Sequence, residues 1–206
     1  MIEKKKVGII DYGAGNLGSI YNAFNFLNAK TEIISDPIDL KKFSHLILPG
    51  VGSFGELSNN LKKKDWPEKI KKFVKDGKSL LGICVGMQLL FETSEESQNS
   101  IGLSLIKGSF KIFGENDLPL PHVGFNEVTH NNTPIWKGIK NNSPFYFIHS
   151  FRISKTQDKV IQAKTKYGDE FISFIEKDNI YGSQFHPEKS HHVGLKLLKN
   201  FLTINN

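Results

Sequence analysis

The sequence predicts an α/β fold in which a mostly parallel central sheet carries helices on both faces and is followed by a C-terminal antiparallel excursion. Three observations predict it. Short apolar runs alternate with helical periodicity over residues 7–91, the pattern of parallel strands joined by crossover helices. After Gly102 the chain breaks into short strand-like pieces punctuated by Gly, Asn and Pro. The end returns to helical spacing.

The elements follow in order. Val7-Gly8-Ile9-Ile10 reads as a short buried strand, and Asp11 to Gly15 as a turn. Leu17, Ile20, Phe24 and Leu27 recur at the spacing of one helical face. Residues 31–35 and 45–48 read as two further strands, the second closed by Pro49-Gly50. Ser53 can cap a helix with Glu56 three residues on. A helical stretch over 67–75 places Ile70 and Phe73 on one side. Residues 79–83 form a fourth strand, and a helix is predicted over 85–91. Strand-like pieces then fall at 109–113, 125–129, 145–150, 160–165, 171–176 and 180–184. A last helix has Val193, Leu197, Leu198, Phe201 and Leu202 on one face. No internal repeat or Pro/Ser linker interrupts the 206 residues, so one domain over 1–206 is expected.

Composition narrows the function. Hydrophobic residues are 38% and charged residues 23%, with 16 Phe, which excludes a disordered chain. No apolar run approaches the roughly 20 residues of a membrane span. The basic opening, Met1 to Lys6, has no apolar block after it, so no secretory signal is expected. The net charge is +6, yet Arg152 is the only arginine. Arginine supplies the commonest specific contact to DNA bases, so nucleic-acid binding is not expected. A single cysteine excludes an intramolecular disulfide framework and leaves either a buried apolar side chain or a reactive thiol in a reducing, cytoplasmic setting.

Gly13-Ala14-Gly15-Asn16-Leu17-Gly18 is a G-x-G-x-x-G between a strand and a helix, with Asp36 near the end of the next strand. That context suits a dinucleotide. Asp11, placed where phosphates would approach, counts against it. The loop could equally be a tight turn that binds nothing, or a contact with another protein.

Gly82-Ile83-Cys84-Val85-Gly86 is a sharper signal. It is the thiol version of the strand–nucleophile–helix elbow, in which a tight turn pushes the nucleophile outward. A helix start behind Cys84 favours thiolate, and the Val85 N–H, free as first-turn amides are, can face an oxyanion. A cysteine nucleophile needs a base, and the base an orienter. His186-Pro187-Glu188 offers both, because residues two apart in an extended segment point the same way. A metal site from His186, Glu188, His191 and His192 is the competing reading, though His191 and His192 are adjacent and cannot share a helical face. No metal and no cofactor are expected. Pro49-Gly50-Val51-Gly52 follows a strand at the same sheet end, and glycines on both sides would let the Val51 peptide rotate and bring its N–H beside that of Val85.

Together and in this order, these pieces resemble the class I (triad) glutamine amidotransferases along nearly the whole chain. The carrying residues are 82–91 around Cys84, Phe185-His186-Pro187-Glu188-Lys189-Ser190, Asp11 to Leu17, Pro49 to Glu56, Pro121 to Asn126, and Tyr146 to Ser150. The resemblance implies the family's flavodoxin-like fold and a glutaminase acting on L-glutamine. It implies a Cys84–His186–Glu188 triad, and an oxyanion and substrate site from Gly50, Val51, Gly52, Val85, Gln88 and Glu96, with Glu96 near the amino group. Within the family, the likeness is to glutaminase subunits that form a heterodimer with a (β/α)8-barrel cyclase and pass it ammonia. Asn16 and Lys189 would then face the partner, and activity would depend on the partner holding its ligand. Two departures are visible. Phe125 stands where the family usually has Trp, and the run Lys189-Ser190-His191-His192-Val193-Gly194 resembles a paralogous group that supplies ammonia for surface-polysaccharide sugar synthesis.

Overall fold

A computed structural model describes residues 5–37, 39–114 and 118–204; the first part of the basic opening lies outside them. In chain order the elements are β1 (Lys6–Ile10), α1 (Leu17–Phe26), β2 (Lys30–Ile34), β3 (His45–Leu48), α2 (Phe54–Lys63), α3 (Trp66–Lys75), β4 (Ser79–Ile83) and α4 (Val85–Gln88). They continue with β5 (Thr93–Ser94), β6 (Ser109–Ile112), β7 (His122–Val128), β8 (Ser143–His149), β9 (Phe151–Arg152), β10 (Ile161–Tyr167), β11 (Asp169–Lys177), β12 (Ile180–Ser183) and α5 (His191–Thr203). Short 3₁₀ turns lie at Leu40–Lys42, Pro134–Trp136 and Pro187–Lys189.

The main sheet has the order β10-β11-β12-β4-β3-β1-β2. β2, β1, β3, β4 and β12 run parallel, while β12, β11 and β10 pair antiparallel. Part of the expected excursion, β10–β12, therefore extends the main sheet, while β5-β6-β9 and β7-β8 form two smaller sheets. β3 and β4 are buried throughout, as strands covered on both faces must be. The chain moves outward from β1 to β2 and, in the opposite direction, from β3 to β4. Right-handed crossovers then put α1 and α2–α3 on opposite faces. α5 closes the α1 side, where the Phe201 ring meets the edges of His45 and Tyr181 at 4.9 and 5.5 Å. Ser53 caps α2 as expected, its hydroxyl accepting from the Glu56 N–H at 3.4 Å.

Two boundaries differ from the sequence reading. The helix expected over 85–91 ends at Gln88, because the next carbonyls are taken from outside the helix. Leu89, Leu90 and Phe91 accept from the Leu103, Leu105 and Ser104 amides at 2.7, 2.9 and 3.2 Å. The strand expected from Phe125 begins at His122, opposite His149 in the β7–β8 register. These two imidazoles bond through Nδ1 and Nε2 at 3.0 Å, and burial lowers both, to about 4 and about 3. A buried polar pair extends the hairpin where apolar alternation stops. β7–β8 turns Val123, Phe125 and Ile148 outward as exposed apolar side chains.

Candidate active site

The carboxyl ends of β1, β3, β4 and β12 lie side by side in the register of the sheet, so the loops following them converge. This is the edge at which open α/β sheets place ligands. The Cys84 N–H donates to the Ser183 carbonyl at 2.7 Å, which fixes the elbow against β12. Cys84 has φ 55° and ψ −115°, a backbone conformation that L residues avoid. Strain of this kind persists where the surroundings impose it. Here the imposition is backbone against backbone: a Cβ on Gly50 would come within 2.0 Å of the Gly86 nitrogen, and one on Gly86 within 1.9 Å of the Leu48 carbonyl oxygen.

The structure brings the three expected triad residues together. Cys84 is 4% exposed and its thiol faces the Ile148 carbonyl at 3.7 Å. His186 is buried, and its Nδ1 meets Glu188 Oε1 at 2.6 Å, which leaves Nε2 as the free ring nitrogen. Burial pushes the imidazole down, but the nearness of the Cys84 thiol and the Glu188 carboxylate outweighs it and holds it at about 10. Pro187 opens a 3₁₀ turn that carries Glu188 back under the ring.

The oxyanion arrangement differs from expectation. The Val85 N–H is not free: it donates to the Gly50 carbonyl at 3.2 Å. In a trans peptide the C=O and N–H point in opposite directions. The Val51 N–H, on the same peptide as the Gly50 carbonyl, therefore points away from Val85. The Val51 carbonyl is held by the Gly15 N–H at 3.1 Å, and Val51 is 43% exposed. Gly50, Val51 and Val85 are brought together, with the peptide between the first two facing the wrong way for two converging donors.

Gln88 is buried on α4 with its Oε1 unpartnered. Gly52 has φ 145° and lies against Leu57. Glu96 is exposed, and its Oε2 accepts from the Phe54 N–H at 2.8 Å, which fixes the carboxylate at the start of α2 beside Gly52 and Ser53. Lys189 is exposed, its ammonium 5.9 Å from the centre of the Tyr146 ring.

Asn16 takes a place the sequence reading did not give it. With φ 71° it starts α1, yet its side chain makes no cap. Its Nδ2 instead donates to Glu188 Oε1 at 2.5 Å. The glycine loop is thus tied to the triad, while the Gly13 N–H goes to Asp11 Oδ1 and Asp36 stays exposed. Gln184 was also missed. It is fully buried, its Nε2 reaches Cys84 Sγ at 3.8 Å, and its Oε1 is unpartnered. Its only sequence signal was its place two residues before His186. Among the described residues, no three His, Cys, Asp or Glu side chains are grouped as metal ligands. His191 instead stacks on Phe125 at 5.2 Å.

Gln88 Oε1, Gln184 Oε1, His186 Nε2 and Glu188 Oε2 are buried without partners, the first on the helix that follows Cys84 and the others on the segment around His186. Unpaired buried polar atoms are rare.

A family model described as glutamine amidotransferase class-I matches residues 8–204. Three similar curated relatives carry the name imidazole glycerol phosphate synthase subunit HisH, the third as HisH 1. That of Helicobacter hepaticus is 46% identical, covering 98% of this chain and 100% of the relative. That of Methanocaldococcus jannaschii is 46% identical, covering 96% and 99%. That of Campylobacter jejuni is 44% identical, covering 96% and 100%. Among solved structures, PurLQS from Thermotoga maritima matches with a TM-score of 0.76 at 19% identity, covering 97% of this chain and 98% of that one. A structure described as glutamine amidotransferase also matches with a TM-score of 0.76, at 18% identity, covering 95% and 96%. At these identities the solved structures speak to the fold alone.

Proposed function

The chain belongs to the class I glutamine amidotransferase family, and from that premise we propose that it is the glutaminase subunit of an imidazole glycerol phosphate synthase. It hydrolyses L-glutamine to glutamate and passes the ammonia to a cyclase subunit. The observation that carries the chemistry is a single hydrogen-bonded line: Glu188 Oε1 holds His186 Nδ1, and the unpartnered Nε2 of that ring is left for the thiol of Cys84.

In this mechanism Cys84 Sγ attacks the side-chain amide carbon of glutamine. His186 Nε2 carries the proton drawn from the thiol and gives it to the departing ammonia, and Glu188 fixes the ring and stabilises the imidazolium. Water then hydrolyses the thioester to glutamate. Gly52 and Gln88 hold the substrate, and Glu96 meets its amino group. The developing oxyanion needs the Val51 and Val85 N–H groups together. Turning the Gly50–Val51 peptide over would release Val85 from the Gly50 carbonyl and bring the Val51 N–H to its side. That change is the step a partner would control.

Free ammonia is mostly protonated at neutral pH, and ammonium is not a nucleophile, so direct delivery to a partner follows. A (β/α)8-barrel cyclase in a heterodimer fits this need. Asn16 and Lys189 border the proposed contact, and the exposed Val123, Phe125 and Ile148 supply an apolar face of the kind that marks an interface. A nucleophilic thiol suits a reducing compartment, which we take to be the cytoplasm. We read residues 1–206 as one glutaminase domain.

The test is glutamate release from glutamine by wild type and Cys84→Ala, with and without the cyclase and a phosphoribulosyl ligand. Release that needs both additions and vanishes in Cys84→Ala supports the proposal. Cys84-dependent release that ignores this cyclase moves the assignment to the sugar-pathway group. No release with any partner overturns the mechanism.

A further inference from the structure

The loop after β1 grips the Pro49–Gly52 segment on both sides of the peptide that must turn. On one side the Gly15 N–H donates to the Val51 carbonyl at 3.1 Å. On the other the Tyr12 hydroxyl donates to the Pro49 carbonyl. Tyr12 is 1% exposed and takes no part in the triad line. We propose that Tyr12 is a positioning residue for the oxyanion hole: its hydroxyl holds the Pro49 carbonyl still, so that turning is confined to the Gly50–Val51 peptide. This inference rests on the glutaminase reading above.

The surroundings of Pro49 show what the hydroxyl prevents. Gly50 lies backbone to backbone on the elbow, and a Cβ on Gly86 would also come within 3.1 Å of the Pro49 carbonyl oxygen. That carbonyl is therefore beside the first turn of α4, whose amides lack helical partners of their own. Released from Tyr12, it is an unsatisfied acceptor beside the elbow that carries Val85 and Gly86. Held by Tyr12, it is already satisfied. The phenol keeps its proton throughout, because burial and then the charge of Cys84 push it well above its ordinary range. It is a permanent donor.

Such a role affects the transition state more than substrate binding. Tyr12→Phe keeps the buried ring and removes the hydroxyl alone. With cyclase and its ligand present, kcat for glutamate release should fall about tenfold to a hundredfold, below the loss of an oxyanion donor itself. KM for glutamine should stay within about twofold, and Cys84 alkylation by iodoacetamide should keep its wild-type rate. An unchanged kcat overturns the proposal. A fall in kcat accompanied by slower alkylation and a lower melting temperature also overturns it, in favour of a packing role. Wild type that releases no glutamate under these conditions fails the glutaminase reading and takes this inference with it. The variant's failures above touch the inference alone.

Discussion

Asn16 and His186 meet on one atom: Oε1 of Glu188 accepts from Asn16 Nδ2 at 2.5 Å and from His186 Nδ1 at 2.6 Å. The carboxylate that holds the His186 ring is thereby held by the loop after β1. A neutral amide can share an anionic oxygen with an imidazolium at little cost, whereas a second carboxylate cannot.

Asn16→Ala should lower kcat for glutamate release by about tenfold, the value of one hydrogen bond to a charged acceptor at the lower end of its range. Asn16→Asp should cost more, because it sets two carboxylates against each other. Steady-state kinetics with the cyclase checks the order, and an aspartate variant as active as the alanine variant would break the argument.

Cys84→Gly and Cys84→Ala should both abolish activity but differ in stability. Alanine keeps a Cβ at φ 55°, and glycine relieves it. Backbone strain of about 1–3 kcal/mol outweighs the roughly 0.4–1 kcal/mol that glycine adds in unfolded-state freedom. The glycine variant should melt about 2–4 °C above the alanine variant by calorimetry.

His186 has a folded pKa of about 10 against an ordinary 6.5. A raised value means that its contribution to stability is fully present below about pH 6.5 and is lost as pH rises through about 10. Glu188→Gln removes one of the causes. The melting temperature of wild type should therefore fall more steeply than that of Glu188→Gln between pH 6.5 and 10, and parallel curves would show that the pair is not charged.

Turning the Gly50–Val51 peptide over reverses the sign of φ at Val51, which is now outside the positive-φ region. A β-branched residue resists positive φ. Val51→Gly should raise cyclase-independent glutamate release several-fold, measured on the free chain. No rise would mean that the turning peptide does not limit the resting enzyme.

Gln184 offers the thiol an amide donor at 3.8 Å. Gln184→Leu should slow iodoacetamide alkylation at neutral pH by about threefold to tenfold, the worth of one ordinary hydrogen bond. A faster reaction would mean that the side chain shields the sulfur instead.

What could be read from the sequence was what repeats or what is spaced locally. Short apolar runs and helical periodicity predicted β1 to β4, α1, α3 and α5, the Ser53–Glu56 cap predicted α2, and glycine spacing predicted the elbow at Cys84. The His186–Glu188 pair followed from two-residue alternation. What escaped was set by hydrogen bonds between distant segments. The early end of α4 depends on amides from 103–105, the occupied Val85 N–H on a carbonyl from 50, and the place of Asn16 on a carboxylate 172 residues away. Tyr12 and Gln184 belong to the same class. Each is an ordinary residue in its own segment and gains a role when β1, β3, β4 and β12 are laid side by side.

That strand order also governs timing during synthesis. β12 inserts beside β4, but it leaves the ribosome about a hundred residues later. Through that interval the nascent thiol of Cys84 has neither its imidazole nor the carboxylate behind it. On the proposed mechanism, an unfinished chain therefore cannot spend glutamine, and any delay in docking β12 would keep the chain silent with Cys84 intact.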